Sequence, residues 1–437
     1  MRDALSTLAS SASAMPCALP GSPLAAAESG IDACVHCGFC LQACPTYLAL
    51  EDENDSPRGR IVLMRGLLDG TVTLDDPVVH RHIDQCLGCR ACETACPSGV
   101  PYGQLLEATR ATLRPAHQPP LVARMILRAF ASPPLLRLAM MGGRIVRRLG
   151  IASMLAHLPG RLGASMAMLA STRPMTGNRT WTATGDASNG DVTLLTGCVM
   201  QGLQSATNDA TARTLTVNDY HVIGTPRQGC CGALHAHAGD LETARALAKV
   251  NIAAFEHAPQ ALIAINAAGC AAMVKEYPHL LHDEPSWHDR ALAVSARARD
   301  ATELLAAAGP KPAMLAAPVR ITYDAPCHLQ HAQRLTAPPL MVLQAIGNLV
   351  HVPLEDSDQC CGSAGIYNLI EPGVSNAVLV PKLRHIAATQ AALVVTGNPG
   401  CLMQIGAGLL RSNASTRAVH PIDLLDAAYA ASQDATA

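Results

Sequence analysis

The apolar pattern of this chain changes character partway along. In the second half, short apolar runs bounded by turn residues recur at 191–196 (DVTLLT), 219–224 (YHVIGT) and 261–266 (ALIAIN), and again at 319–324, 349–354 and 392–397. Runs of that length flanked by turn residues predict buried strands. Helical stretches are predicted near 205–218 and over 240–256, between those strands. Strand and helix in alternation predict α/β units with parallel sheets. The first half has no such runs. Pro57-Arg58-Gly59-Arg60 leads into IVLMRGLLDG, a helix ended by Gly70, and a second helical pattern starts near Tyr102 with Gln104, Leu105, Leu106 and Ala108.

The second half is also a repeat. Cys198, Cys230-Cys231-Gly232 and Cys270 are followed at offsets of 129, 130 and 131 residues by Cys327, Cys360-Cys361-Gly362 and Cys401. Agreement at three anchor points means two copies of one module. Cys198, Cys270, Cys327 and Cys401 each fall just after a predicted strand, where open α/β sheets place their ligands.

The helical half carries the clearest chemistry. Cys34, Cys37, Cys40 and Cys44 read C-x2-C-x2-C-x3-C before Pro45, and Cys86, Cys89, Cys92 and Cys96 repeat that spacing before Pro97. This is the pattern of a two-cluster bacterial ferredoxin, in which the last cysteine of each run crosses to the other cluster. Cys34, Cys37, Cys40 and Cys96 are therefore assigned to one [4Fe-4S] cluster, and Cys86, Cys89, Cys92 and Cys44 to the second. The prolines are expected to end each run. Gly38, Gly88 and Gly99 are expected to let backbone approach the cluster sulfurs. Zinc leaves the third cysteine and the C-P ending unexplained. Disulfides fit poorly with seventeen cysteines and no clean export signal.

Each module offers four thiols: Cys198, Cys230, Cys231 and Cys270, then Cys327, Cys360, Cys361 and Cys401. Adjacent cysteines strain a bridge between them and make better metal ligands. A further iron–sulfur centre, zinc, or a pair of buried structural thiols all remain open, with His235, His237, His328 and His331 close by in sequence.

Composition adds limits. Apolar residues are 49% of the 437 and aromatics only 3%, so the core must be aliphatic. A net charge of −2 argues against nucleic acid as a partner. No stretch suits a transmembrane helix. Residues 1–30, with one arginine and no continuous apolar core, are expected to form a disordered tail, and Cys17 receives no role. From Ala108 to Gly185 there is no Asp or Glu, yet the span holds eleven arginines, from Arg110 to Arg179, among Leu, Met, Ile and Ala. Such helices bind an anionic membrane surface or an acidic partner, or simply turn their arginines to water.

The runs CVHCGFCLQACPTY, SPRGRI, CLGCRACETACPSGVPY, QGCCGALHAH, CHLQHAQRL and CCGSAGIYNL resemble the iron–sulfur subunit of bacterial glycolate oxidase (glycolate dehydrogenase) from about residue 31 to about 425. The repeated modules also resemble the cysteine-rich (CCG) subunits of heterodisulfide reductase and anaerobic glycerol-3-phosphate dehydrogenase. The heterodisulfide form ends each module in C-x2-C; here Ala267 and Asn398 stand where the first of those cysteines would be. The resemblance implies an electron-transfer subunit without a substrate-oxidising site or catalytic residue of its own. Flavin-containing partner subunits would oxidise glycolate to glyoxylate, and electrons would pass on to the quinone pool or another membrane acceptor. No flavin is expected in this chain, which lacks a G-x-G-x-x-G after a strand. The expected place is cytoplasmic, peripheral on the inner membrane. Alternatives are a heterodisulfide or thiol–disulfide reductase subunit, or the iron–sulfur subunit for lactate or glycerol-3-phosphate.

The expected architecture is an α-helical two-cluster ferredoxin domain followed by an α/β region of two repeated cysteine-rich modules. The expected bounds are 1–30 tail, 31–115 ferredoxin-like domain, 116–189 arginine-rich helical linker, and 190–310 and 311–430 for the modules.

Overall fold

The computed structural model describes residues 17–172 and 182–434. Among the described residues before 182, all regular structure is helical. Ser56 caps the helix Pro57–Asp69 by accepting from Gly59 N–H, Pro57 opens it, and Gly70 closes it at φ 71°. Pro45 does not end a helix, as expected of it; it sits at the start of Pro45–Leu50, where its missing N–H costs nothing.

Arg60 of the SPRGRI run is fully buried and ties this half together. Its guanidinium donates to His82 O at 2.6 Å, Thr46 Oγ1 at 3.1 Å and Asp55 Oδ1 at 3.0 Å. Those partners belong to the helix after Cys44, the turn before Pro57 and the helix before Cys86. One side chain thus positions loops of both cysteine runs.

The tail expected over 1–30 is corrected by its second half. Residues 1–16 lie outside the described residues, but Pro23–Ala26 and Glu28–Asp32 are helical and Leu24 is completely buried. Leu24 N–H donates to Thr112 Oγ1 at 3.0 Å, so this segment covers the helix Tyr102–Leu113. The missing continuous apolar core that suggested disorder is supplied by packing against distant helices.

Among the described residues, eight strands form two parallel sheets. β1 (Asp191–Leu195), β2 (His221–Ile223), β3 (Leu262–Ile265) and β4 (Ala298–Asp300) have the order β2-β1-β3-β4. β5 (Ala313–Tyr323), β6 (Ile346–His351), β7 (Leu393–Val395) and β8 (Arg417–Val419) repeat it as β6-β5-β7-β8. The six predicted strands are present. β4 and β8 carry no apolar run (ARD and RAV) and could not be seen by periodicity. β5 begins earlier than expected, and its register shifts between Met314 and Val319, where Pro318 removes a ladder donor.

The modules are not beads on a string. One core runs through both, from Val192 and Leu215 to Val395 and Leu425. The last helix, Pro421–Asp434, docks on Ser205–Val217 of the first module through Arg213 to Asp426 at 2.7 Å and Asn218 Nδ2 to Tyr429 OH at 2.9 Å.

Replacing Arg60 with alanine leaves Asp55 buried without its cation. The expected loss is about 3–5 kcal/mol, read as a lower midpoint in anaerobic urea unfolding of the cluster-loaded chain. A loss below about 1 kcal/mol would show that the pair behaves as an exposed one.

Candidate cluster sites and the thiol cavity

The eight cysteines of the helical half line two small neighbouring cavities. Cys34, Cys37, Cys40 and Cys96 line the first, with Cys92 at its inner wall. Cys44, Cys86, Cys89 and Cys92 line the second. Each cavity draws on both runs, and Cys92 faces both. The donor sets consist of thiols alone. Burial pushes the Cys92 and Cys40 thiols up, so crowded sulfurs here stay protonated unless a cationic centre neutralises them. That environment fits iron–sulfur ligation. Gly88, at φ 61°, donates its N–H to Cys86 Sγ at 3.4 Å. Cys37 is exposed, with Val35 and Phe39 each 67% exposed beside it, so the first cavity lies near the surface. The second is enclosed by Arg60, Leu87 and Tyr102.

The cysteines of the two modules meet in one place. Cys198, Cys230, Cys231, Cys270, Cys327, Cys360, Cys361 and Cys401 all line a single cavity of about 330 Å³. It lies beyond the carboxyl ends of the parallel strands of both sheets, as the strand–cysteine spacing predicts. Sequence alone could not show that the two sites face each other.

Within each module one thiol accepts from its neighbours. Cys198 and then Cys231 hold Cys230 well below the usual thiol range; Cys327, Cys361 and then Cys89 do the same for Cys360. Cys231 and Cys270 have their sulfurs 3.2 Å apart. Gly362 of the second C-C-G has φ 82°, and a Cβ there would lie 2.5 Å from Ser375 O. That explains the glycine after each cysteine pair, since Gly232 also has positive φ, at 92°.

Cys89 and Cys360 thus face each other across the domain boundary, in one buried cluster with Leu87 and Cys327. The second ferredoxin-type cavity and the thiol cavity share this wall.

The four histidines near the module cysteines act as latches. His328 Nε2 pairs with Gly88 O at 3.0 Å, His331 Nδ1 with Thr94 Oγ1 at 2.9 Å, His237 Nδ1 with Glu107 Oε1 at 2.7 Å, and His235 Nε2 with Leu127 O at 3.0 Å. Each joins a module to the ferredoxin-like domain or the linker. Burial, and then His237, push His328 down to about 4, so it is neutral. Asn398, at the position of the absent cysteine, donates to Cys401 Sγ at 3.5 Å and accepts from Gly269 N–H at 3.2 Å. It binds one module to the other where the heterodisulfide form would place a ligand.

The linker is four helices laid over the modules: Leu121–Ala131, Pro133–Arg148, Ile151–Leu155 and Gly160–Ser171. Arg144 caps Gly202 O and Gln201 O, while Arg147 bonds Thr172 O and Leu203 O. Arg124, Arg128, Arg137 and Arg148 are exposed, and Arg173 and Arg179 lie outside the described residues. No residue of Pro133–Arg148 is buried. Its body side carries Met140 and Gly143, against Gly202 and Leu203. Its apolar stripe, Leu135, Leu138, Met141, Ile145 and then Leu149, is exposed. Among the described residues, no helix is long and apolar enough to cross a membrane.

Comparison with known proteins matches both cysteine-bearing regions of the chain. A 4Fe-4S dicluster domain matches residues 30–100, and a Cysteine-rich domain matches 192–275 and again 321–406. The probable glycolate oxidase iron-sulfur subunit of Bacillus subtilis (strain 168) is 38% identical over 90% of this chain and 92% of its own length. The glycolate oxidase iron-sulfur subunit of Escherichia coli (strain K12) is 35% identical over 92% of this chain and 95% of its own. Lactate utilization protein A of Oceanobacillus iheyensis is 28% identical over 46% of this chain and 81% of its own. With both cysteine-bearing regions matched and relatives aligned along nearly its whole length, the chain belongs to the family of glycolate oxidase iron–sulfur subunits.

Proposed function

We propose that this chain is the electron-transfer subunit of a complex in which a flavin-bearing partner oxidises glycolate to glyoxylate, and that it delivers the electrons to membrane quinone. In this reading Cys34, Cys37, Cys40 and Cys96 hold one [4Fe-4S] cluster, and Cys86, Cys89, Cys92 and Cys44 hold the second. Bound there, such clusters supply single-electron transfer between a two-electron donor and a two-electron acceptor. The observation that carries the reading is contiguity: Cys92 lines both ferredoxin-type cavities, and Cys89 touches Cys360 of the thiol cavity. A relay needs such adjacency; a scaffold does not.

The chain's own residues set the direction of access. Exposed Cys37, Val35 and Phe39 offer the first cavity's edge to the flavin partner, while Leu87 and Tyr102 keep water from the second. The module thiols support a further cluster or zinc, because each module brings four sulfurs to the shared cavity. Lactate is the second reading for substrate, favoured by the lactate utilization relative, but that match spans about half of this chain.

The outward apolar stripe of Pro133–Arg148 supports peripheral attachment to an anionic bilayer. Leu121, Val122 and Met125 of the preceding helix are exposed as well, and exposed arginines flank both helices. No acidic residue occurs from Ala108 to Gly185 to repel lipid phosphate.

Three outcomes are expected. Iron and acid-labile sulfide, assayed after anaerobic purification, should exceed about eight of each per chain, the content of two cubane clusters; a value near eight would leave the modules without a cluster. Cys89→Ser should lower iron by about four per chain and abolish glycolate-dependent quinone reduction by the assembled complex, whereas normal turnover would sink the relay. Leu138→Glu with Ile145→Glu removes two side chains worth about 1.5–3 kcal/mol each, so binding to phosphatidylglycerol vesicles should fall at least about tenfold in flotation, and undiminished flotation would remove the membrane role.

A further inference from the structure

A further cavity, of about 340 Å³, adjoins the thiol cavity through Leu234, His237, Ala364 and Ile366, but none of the cysteines lines it. Its size suits a small organic molecule. We infer that it is the binding site for the ring of a lipophilic quinone, the acceptor of this complex; the inference rests on the quinone reading above.

Two of its wall residues are bonded to the backbone that leads into the second ferredoxin-type cavity. Arg110, at the cavity edge, donates to Ile83 O at 3.1 Å and Cys86 O at 2.8 Å. Tyr367, on the opposite wall, donates its hydroxyl to Gln85 O at 2.9 Å. Asp84 of that segment lines the cavity itself, so a molecule here lies one side chain away from the loop that carries Cys86. It has apolar walls beside a ferredoxin-type ligand loop, and none of the sixteen paired-run and module cysteines lines it.

The walls decide the class of ligand. Pro119, Ala123, Leu127, Ile366 and Ile370 are apolar. Arg110 and Arg114 look like anion binders but are engaged elsewhere. Arg110 also donates to His237 O, and Arg114 to Ala238 O and Asp240 Oδ2. The carboxylates of Asp84 and Glu371 face the same space. A nucleotide or carboxylate ligand would meet repulsion without a free guanidinium. A neutral ring meets apolar walls and a polar end of His117, Gln118 and Tyr367, which are held in place by Asp84, Arg114 O and Gln85 O and carry no net charge to demand an anion.

The access route fits a molecule that arrives from lipid. Ala123 and Leu127 are the buried face of the helix Leu121–Ala131, and they form one wall. The outer face of the same helix shows Leu121, Val122 and Met125, 68%, 50% and 64% exposed. One helix thus separates the cavity from the surface proposed to lie on the bilayer. The redox balance closes without another reactant. Glycolate loses two electrons and two protons to become glyoxylate; the quinone gains two electrons, and two protons from water at the cavity mouth, to become the hydroquinone.

The test uses the assembled complex in detergent, with decylubiquinone as acceptor and an azido-quinone as photolabel. Label is expected on peptides covering 113–127 and 364–371, and decylubiquinone is expected to compete it away. Ala123→Phe and Ile370→Phe fill the cavity from opposite walls; each should raise KM for decylubiquinone at least tenfold while the iron–sulfur EPR signals persist. Should Ala123→Phe fail to fold, Ile370→Phe and the photolabel on the unaltered complex decide. Label confined to other peptides, with unchanged KM in the variant that folds, would overturn this site and leave the relay standing. A wild-type complex that reduces dye with glycolate but no quinone would overturn the acceptor reading itself, and this site with it.

Discussion

Crowded thiols are the constraint on which this structure depends. A buried sulfur cannot ionise alone: burial pushes Cys92 and Cys40 up, and only where neighbouring thiols donate, at Cys230 and Cys360, does a thiol fall below its usual range. Placing sixteen cysteines in three adjoining cavities is favourable only if cationic centres or shared protons neutralise them. The fold follows from meeting that condition. Arg60 gathers the loops of the helical half through His82, Thr46 and Asp55, and the histidines His235, His237, His328 and His331 press the modules against those loops.

The duplication of the module is the second organising fact. Two parallel sheets of the same order present their carboxyl ends to one cavity, so each copy supplies half of its thiols. The copies diverge where they touch different neighbours. Cys360 accepts from Cys89 in addition to its own module's thiols, whereas Cys230 has partners from its own module alone. Asn398 and Ala267 differ likewise: the asparagine ties Gly269 to Cys401, and Ala267 is buried without a polar side chain. The two halves of the cavity therefore differ in electrostatics, although one sequence pattern generates both.

The linker reverses the usual rule for surface helices. An amphipathic helix on a protein normally turns its apolar stripe inward. In Pro133–Arg148 the body side is held by small residues and by arginines bonded to helix-end carbonyls, and the stripe points away. An exposed apolar area of this kind marks an interaction surface. Met140 on the body side of the same helix lines the thiol cavity, so this surface lies one helix away from the module cysteines.

Much was legible in the chain itself, because some signals are local. Three cysteines at intervals of three must face one side of a turn, and a fourth must come from elsewhere; the spacing at Cys34 and Cys86 states this without coordinates. Six strands announced themselves as apolar runs, while β4 and β8, with sequences ARD and RAV, exist through pairing alone. Residues 17–30 read as a tail because they hold no continuous apolar run, yet Leu24 is buried by packing against distant helices. Only tertiary structure could decide that the eight module thiols share one cavity, that Cys89 meets Cys360 and that the linker's apolar stripe faces outward. These facts join segments up to hundreds of residues apart. Periodicity records which face of an element is apolar; it does not record what that face will meet.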